Sequence, residues 1–286
     1  MFMSDICICC GTRLQLGLCD WHRVCPRCKY ERSHLVSYIN VEFAPNKLDE
    51  NLREVGLMDL RKNNFKQLVD EISKYAPHDS TLLDVGCGHG WFLEIANKKF
   101  KAEGIEPDRA IYERALKHGF NVRCGYFPKD LSITDVYDVI IFNDVIEHIH
   151  DIHSTMDALR KHLNNEGLLV LNLPSRGGIF YRLSKVLYYF GARSFFERLW
   201  QTEMPSPHIH YFNRKNLTAF LSKAGFKVHI YGRLESIIRS GLYARISYAR
   251  SDAKILNKLL YIVIACFLPL LRLLPSDIIY VIATRK

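Results

Sequence analysis

The spacing of apolar and polar positions predicts a helical stretch followed by alternating short strands and helices. Between Leu48 and Tyr75, large apolar residues recur at roughly helical spacing until Pro77, which predicts one or two helices. Thr81–Val85 is a short apolar strand, and a helical pattern begins at Trp91. A second strand is predicted at Lys101–Glu106. The apolar positions that define the leading helical stretch are Leu52, Val55, Leu60, Phe65, Leu68, Val69 and Ile72.

A long apolar run near the end of the chain, Leu259–Leu271, is interrupted by Pro269 and flanked by Lys258 and Arg272. Thirteen residues are too few to cross a bilayer as a helix, which needs about 20. We expect this run to cover the protein core. The alternative is that it lies in a membrane interface with its flanking cations at the lipid headgroups.

The charge of the chain is divided unevenly along its length. The 286 residues suggest about two domains, or one domain with a small appendage, and 48% hydrophobic residues exclude a disordered, collagen-like or coiled-coil protein. Residues 1–175 hold 21 Lys and Arg against 25 Asp and Glu, whereas residues 176–286 hold 18 against 5. Such a basic segment predicts an anionic partner: a phosphorylated substrate, nucleic acid or a membrane surface. A solvated basic face is the plain alternative.

Six of the nine cysteines fall within the first 28 residues. The start of the chain lacks the pattern of a signal peptide, so we expect a reducing cytoplasm and a metal site rather than disulfides. Two CxxC pairs supply four thiolates for a structural Zn2+ ion with no open position for water: Cys7, Cys10, Cys25 and Cys28. Cys19 and His22 could replace one ligand, Cys9 could substitute for a neighbour, or the thiols could simply be reduced and partly buried.

A glycine-rich turn, Gly86-Cys87-Gly88-His89-Gly90, follows the first strand of the main domain. Glycines at such a turn let a ligand approach the bare backbone at the start of the next helix. The second strand ends in Glu106, whose carboxylate could accept hydrogen bonds from both hydroxyls of a ribose. Together these features predict a nucleoside-containing ligand.

Taken together, the segment from Leu83 to Gly90 closely resembles motif I of the class I S-adenosylmethionine-dependent methyltransferases, and the resemblance extends from Thr81 to Arg285. Further segments that match the family in order are 138–148, 165–172, 210–226 and 276–285. The resemblance implies an α/β fold with a Rossmann-like seven-stranded sheet and an antiparallel last strand. The resemblance covers a methyltransferase domain at 78–286. The cysteine pairs predict a zinc-ribbon-like module at 1–32, and the apolar spacing predicts a linker with leading helices at 33–77.

The resemblance also implies a set of cofactor-binding residues. Glu106 would hold the ribose, and Asn143 and Asp144 would lie near the sulfonium. Because the family's acidic residue after the third strand is missing, adenine would meet Tyr126, Phe127 or a backbone group. The residues that would line the methionine part are Asp84, Gly86, Cys87, Gly88 and Gly90.

Histidines are the natural candidates for a base that activates an oxygen acceptor. His148 follows the fourth strand, and His208 and His210 lie at an edge that can fold over the same cleft. Asp144, Glu147 and His148 also resemble the pattern with which some relatives bind a divalent metal, which makes Mg2+ a further hypothesis.

Two insertions, at about 176–207 and 234–275, predict the substrate-binding part of the protein. The first is aromatic and basic, which suits a sugar phosphate, a lipid-linked glycan or an aromatic metabolite. We expect an O-methyltransferase of a glycan, lipid-linked or other small anionic acceptor, in the cytoplasm or peripheral at the inner membrane surface. The alternatives are an RNA methyltransferase, a C-methyltransferase of a nucleotide sugar, and a non-catalytic zinc-ribbon adaptor.

Overall fold

The computed structural model describes residues 5–39, 50–249 and 254–286. The strands are β1 Gln15–Leu16, β2 His22–Val24, β3 Glu31–Ser33, β4 Thr81–Val85, β5 Lys101–Glu106, β6 Val122–Cys124, β7 Tyr137–Asn143, β8 Leu163–Pro174, β9 His210–Tyr211, β10 Phe226–Leu234 and β11 Ile278–Arg285. The helices are α1 Glu50–Ile72, α2 Trp91–Ala96, α3 Arg109–Lys117, α4 Ile152–His162, α5 Ile179–Tyr189, α6 Ser194–Leu199, α7 Arg214–Lys223, α8 Leu242–Ala249 and α9 Lys254–Leu271, with a short 3-10 turn at Ile146–His148.

The main sheet has seven strands in the order β10-β11-β8-β7-β4-β5-β6. Strands β4 to β8 pair in parallel, and β11 enters antiparallel between β8 and β10. The central strand β7 is buried on both faces, which is why it is apolar almost without interruption rather than alternating. The predicted fold class, an α/β sheet of seven strands with an antiparallel last strand, is confirmed.

The carboxyl ends of β4, β5, β7 and β8 lie at one edge of this sheet because these strands run parallel. In open α/β sheets, ligands bind in the crevice outside the carboxyl ends of the strands. The glycine-rich turn after β4 and the 3-10 turn after β7 both begin at this edge. The chain order therefore brings the predicted cofactor and catalytic segments together.

The N-terminal strands belong to a second sheet of four strands, in the order β1-β2-β3-β9. Strand β3 pairs antiparallel with β9, which places Glu31 opposite Tyr211. The buried Cys25 and Tyr30 share one continuous core with Phe212 and with the apolar side chains under the main sheet. The cysteine segment is therefore packed on the rest of the protein, while its boundary at residue 32 remains a prediction.

The leading helical stretch is a single helix, α1, and its predicted positions Leu60, Phe65, Leu68, Val69 and Ile72 are buried. The side chains of the other two predicted positions, Leu52 and Val55, and residues 40–47 of the predicted linker lie outside the described part of the chain.

The apolar run near the end of the chain forms α9, and our expectation that it covers the core is wrong. Among its eighteen residues only Asn257 and Leu268 are buried. The other side chains of α9 are partly or largely exposed, although the mean hydropathy of the helix is 1.9. By length and composition alone, α9 is apolar enough to cross a membrane.

Candidate active site

A cavity of about 1750 Å³ opens at the carboxyl edge of the parallel strands. Sites for one small ligand occupy roughly 300–1000 Å³, so this cavity has room for a cofactor and an acceptor side by side. The glycine-rich turn and the end of β5 line one part, the segment after β7 lines another, and α1, α5, α8 and α9 contribute side chains around them. The predicted site residues that line it are Asp84, Gly86, Cys87, Gly88, Glu106, Asn143, Asp144, His148 and His208.

Gly88 occupies a position that only glycine fits well. Its φ is 54°, in the left-handed region, and a Cβ added there would meet no protein atom within 4 Å because it would project into open space. Its amide donates a hydrogen bond of 2.9 Å to the Glu106 carboxylate. The turn therefore presents bare backbone to a ligand beside an acidic group, as ribose binding requires.

Gly90 does not line the cavity. It precedes α2 in the left-handed conformation, and a Cβ there would clash with the ring of Phe120. Gly90 would therefore contribute to cofactor binding only by shaping the turn, not by contacting the cofactor.

Two buried carboxyl groups stand at the start of the cavity. Burial and the nearby charge of Glu106 raise the pKa of Asp84 to about 8, although Asn143 donates a hydrogen bond to it at 3.1 Å. Burial likewise raises the pKa of Glu106, against the amides of Gly88 and Asp108 that donate to it. Both groups would ionise more readily if a cation lay beside them.

Asp144 ends β7 in a strained conformation, with a φ of 54°. Its amide donates to the carbonyl of Asn172 at 2.9 Å, and its carboxylate lies 3.4 Å from the guanidinium of Arg61. Non-glycine residues are uncommon in this region and cluster at functional sites. The strand end therefore directs the Asp144 carboxylate into the cavity, where it meets the Arg61 guanidinium of α1.

Glu147 is fully buried, and neither of its carboxylate oxygens has a hydrogen-bond partner within the part of the chain that the structure describes. Its Oε1 lies 4.0 Å from Nε2 of His148 and 4.0 Å from Nε2 of His208. Burial and the charge of Asp144 raise the pKa of Glu147 well above its ordinary value. An unpaired buried carboxyl group is costly and requires an explanation, such as a proton or a cation between it and its neighbours.

The two histidines beside Glu147 face each other, with ring centroids 4.7 Å apart. Nδ1 of His148 donates to the carbonyl of Pro207 at 2.9 Å, so in the neutral ring the lone pair lies on Nε2, toward Glu147. His208 contacts Gln201 through Nε2 at 2.9 Å and the Tyr211 hydroxyl through Nδ1 at 3.2 Å. Ligand atoms of Glu147, His148 and His208 all lie within 4.8 Å of one another, a set that could hold a metal ion.

His210 is placed differently from the other two candidate catalytic histidines. It is buried outside the cavity, where Nε2 donates to the carbonyl of Ile149 at 2.8 Å and Nδ1 accepts from the Tyr30 hydroxyl. Burial lowers its pKa to about 3, which keeps the ring neutral. These contacts join the N-terminal sheet to the segment after β7, and they favour a positioning role for His210.

The first insertion forms α5 and α6 and is anchored to the N-terminal sheet through Glu31. This fully buried carboxylate accepts from Arg176 and Lys185, each at 2.8 Å, and from the Tyr181 hydroxyl. His22 completes the cluster at 2.8 Å. Burial alone would raise the pKa of Glu31, but the His22 hydrogen bond and the charge of Lys185 outweigh it and lower the pKa.

The N-terminal thiols converge at a separate position. Sγ of Cys7 lies 3.5 Å from Sγ of Cys28, and Sγ of Cys10 lies 3.4 Å from Sγ of Cys25. A tetrahedral Zn2+ with Zn–S bonds of about 2.3 Å separates its sulfurs by about 3.8 Å, close to these distances. Cys9 and Cys19 lie outside this group of four, and His22 contacts Glu31 instead.

Sequence reasoning missed two arginines of the cavity, Arg61 on α1 and Arg245 on α8. Burial and the charge of Arg61 lower the pKa of Arg245, and no salt bridge pairs Arg245 with a carboxylate within the described ranges. Both residues lie far along the chain from the motifs, on helices whose apolar spacing gave no sign of a charged site. Only the excess of Lys and Arg in residues 176–286 indicated that a cation such as Arg245 could belong to the site.

The comparisons with known proteins identify the family and the fold. Residues 59–230, more than half of the chain, match a family described as a methyltransferase domain. The chain belongs to this family. It is 28% identical over 127 residues to a malonyl-[acyl-carrier protein] O-methyltransferase of Priestia megaterium, covering 42% of this chain and 46% of that protein. It is also 28% identical over 133 residues to a ubiquinone biosynthesis O-methyltransferase of Rickettsia akari, covering 43% and 53%.

This methyltransferase-family chain thus spans about half the length of the curated relatives it matches. Among solved structures, a possible histamine N-methyltransferase from Thermotoga maritima matches with a TM-score of 0.53 and 16% identity, over 84% of this chain and 96% of that one. A geranyl diphosphate methyltransferase in complex with S-adenosylmethionine matches with a TM-score of 0.54 and 14% identity, over 88% and 98%. At these identities the similarity shows the fold.

Proposed function

We propose that the protein is an S-adenosylmethionine-dependent O-methyltransferase that acts on a small anionic acceptor. The observation that carries this proposal is the pairing, in one cavity, of the Gly88–Glu106 ribose site with the acid and histidines after β7. Curated relatives named as O-methyltransferases support an oxygen acceptor.

The reaction needs alignment and a base. The acceptor oxygen gives up its proton, bonds to the methyl carbon, and the carbon–sulfur bond breaks with its electrons remaining on sulfur, which leaves S-adenosylhomocysteine. Holding both reactants in line supplies much of the acceleration. Nε2 of His148 has the lone pair and the position to accept the acceptor's proton.

The cavity's cations support an anionic acceptor. Arg245 has no carboxylate salt-bridge partner among the described residues, and Arg61 stands beside it with Asp144 as partner. Arginines recognise carboxylates and phosphates through paired hydrogen bonds. The acceptor's anionic group would bind Arg245, with its hydroxyl directed to His148. A glycan, a lipid-linked molecule or another small metabolite with such a group would fit.

As an alternative to proton transfer to His148, a divalent cation would fit between Glu147, His148 and His208, because the buried oxygens of Glu147 lack a hydrogen-bond partner among the described residues. The ion would then bind the Nε2 lone pair of His148, which could no longer act as the base. Such an ion, when bound, lowers the pKa of a coordinated hydroxyl. Two imidazoles and one carboxylate suit Mn2+ better than Mg2+, which prefers oxygen ligands. Asp144, the third residue of the expected Mg2+ set, is paired with Arg61 instead.

Titration calorimetry with Mn2+ and Mg2+ tests this ion site, with Glu147→Gln as the variant. We expect Mn2+ to bind the unmodified protein and not the variant; identical heats from both proteins would remove the ion from the proposal. His148→Gln should then lower kcat while leaving the affinity for S-adenosylmethionine unchanged.

A structural Zn2+ on Cys7, Cys10, Cys25 and Cys28 completes the proposed composition. Four thiolates would close the coordination sphere and stabilise a segment whose own strands are only two or three residues long. One zinc per chain by elemental analysis, lost in Cys25→Ser, is the expected result.

Transfer of a labelled methyl group to fractionated cell extract tests the function itself. We expect label in small molecules or lipids, and no label when Glu106→Ala replaces the unmodified protein. Label confined to RNA, with binding that weakens steeply with salt, would instead identify an RNA methyltransferase.

A further inference from the structure

Helix α9 exposes a row of large apolar side chains that the proposed chemistry does not use. We call this set the apolar face of α9: Ile255, Leu256, Leu259, Ile262, Val263, Phe267 and Leu270. Only two residues of the helix are buried against the protein. Monomeric soluble proteins rarely expose apolar patches of this size, and those that do use them to bind a protein or a membrane.

The charged side chains of α9 itself, and of Arg272 just after it, are all cationic. Lys254, Lys258 and Arg272 are exposed at or near its ends, although Arg272 also lies 3.4 Å from Glu235. The sequence has no acidic residue between 253 and 276. An apolar surface bordered by cations is complementary to a membrane with anionic headgroups, where hydrocarbon contact and charge attraction add together.

The face is connected to the proposed active site. Leu260 and Ile264, on α9, line the cavity, as do Leu183 and Leu187 on α5. Helix α5 ends at Tyr189, which is exposed like Phe190 after it. The same two helices therefore form an apolar wall of the cavity and present apolar side chains to the surroundings.

The connections of α9 decide between lying on a membrane and crossing it. Helix α8, which packs on α1, ends at Ala249, only four residues before α9 begins. Six residues separate Leu271 from Ile278, where β11 enters the main sheet between β8 and β10. Six extended residues reach about 20 Å, less than the ~30 Å hydrocarbon core, so the chain could not return from the far side.

We propose that the apolar face of α9 docks onto an anionic lipid membrane, and that an acceptor with a hydrocarbon chain enters the cavity beside α9 from that surface. The helix would lie in the plane of the interface, with its apolar side chains among the acyl chains and its lysines at the headgroups. The second half of the proposal rests on the proposed methyltransferase function, whereas the first half does not.

Sedimentation of the full chain with lipid vesicles tests the docking. We expect binding to vesicles of equal parts phosphatidylglycerol and phosphatidylcholine, and weak binding to phosphatidylcholine alone. The double variant Ile262→Glu with Phe267→Glu changes two side chains that are each 56% exposed, so the fold should tolerate it. It should weaken vesicle binding by about tenfold or more.

The matched control is the double variant Ile133→Glu with Val136→Glu, which introduces the same two charges at exposed apolar residues in the segment before β7, outside the apolar face. This control should bind vesicles like the unmodified protein. Equal binding by the double variant and the control would overturn the docking proposal. The docking proposal would also be overturned if the unmodified protein formed a dimer and did not bind vesicles, and if the double variant abolished that dimer. The apolar face would then join two copies of the chain.

Binding of S-adenosylmethionine, measured by calorimetry on the same samples, separates this proposal from the proposed function. All variants should bind the cofactor equally, since none touches its site. If the unmodified protein did not bind S-adenosylmethionine, the proposed function would be refuted and the docking result would still hold. Label transferred only to water-soluble acceptors, with none in the lipid extract, would refute entry of the acceptor from the membrane.

Discussion

Asp84, a buried residue of the proposed cofactor site, links the stability of the fold to pH and to the charge of the bound ligand. Burial beside Glu106 raises its pKa to about 8, so the carboxyl group is largely protonated at neutral pH in the free protein. A carboxyl group whose folded pKa is raised stabilises the fold at low pH. That contribution is lost as pH rises from its ordinary value of 3.8 towards about 8.

Binding of S-adenosylmethionine at pH 7 should therefore release protons. The cofactor carries positive charge, which favours the ionised form of Asp84 and expels its proton. Calorimetry in two buffers with different ionisation enthalpies measures this release. The variant Asp84→Asn should lose part of it, whereas Asp79→Asn, at an exposed aspartate outside the cavity, should not. Unchanged proton release in Asp84→Asn would show that another group titrates.

Residues that meet only in three dimensions set the limit of what the sequence could predict. The glycine turn and Glu106 lie in one strand–turn–helix–strand unit, so local spacing was enough to place them together. Sixty residues lie between Glu147 and His208. The two side chains come close only because the chain after α6 folds back towards β7. Nothing in the sequence fixes that distance.

At the scale of elements, α5 and β3 are joined through one buried acid. Glu31, on β3, accepts hydrogen bonds from Arg176, three residues before α5, and from Lys185 in the middle of α5. Nearby, Tyr211 stacks on Tyr181 and packs at a tilt against Trp200. Charge on a buried carboxylate is tolerated because these cations surround it. The N-terminal sheet thereby fixes the helix that forms one wall of the cavity.

Glu31→Gln should loosen this wall. Removing the acid leaves two cations facing a neutral amide, and breaking a buried pair costs about 3–5 kcal/mol. We expect lower thermal stability and a raised KM for the acceptor, with the affinity for S-adenosylmethionine little changed. Glu203→Gln, at an exposed glutamate after α6, is the matched control.

The same cluster has a pH signature. Because the folded pKa of Glu31 is depressed, its stabilising contribution is present above its ordinary value of 4.5 and is lost as pH falls further. The unmodified protein should lose stability more steeply than Glu31→Gln below that pH. Parallel curves of unfolding temperature against pH would contradict this account of the cluster.

Helix α9 illustrates why an element can be predicted and its environment not. The apolar run follows from composition, although the helix begins five residues before it, at Lys254. An apolar stretch has the same sequence whether protein, lipid or another chain covers it. The seven-stranded main sheet with its antiparallel last strand could be predicted because the family resemblance supplies it. The packing of α8 on α1, which determines where α9 lies, could not be predicted from the sequence pattern.

At the scale of the whole molecule, the cysteine segment and the methyltransferase sheet share one core. Cys25 and Tyr30 pack with apolar residues of β8, and β3 pairs antiparallel with β9. Trp21 stacks on Phe196 of α6, with Trp200 5.6 Å away. A segment held this closely should not unfold by itself, even though its composition suggested a separate module at 1–32.

Loss of the proposed zinc ion should therefore destabilise the whole protein in one cooperative step. Without the ion, the three thiols that remain in Cys25→Ser would no longer fix the turns that lead into β3, and the shared core would lose its support. We expect Cys25→Ser to lower a single unfolding transition, seen alike by tryptophan fluorescence and by loss of cofactor binding. Cys19→Ser, outside the group of four, should leave it unchanged. Two separate transitions in the unmodified protein would instead establish an independent N-terminal domain, and with it the boundary that the sequence predicts.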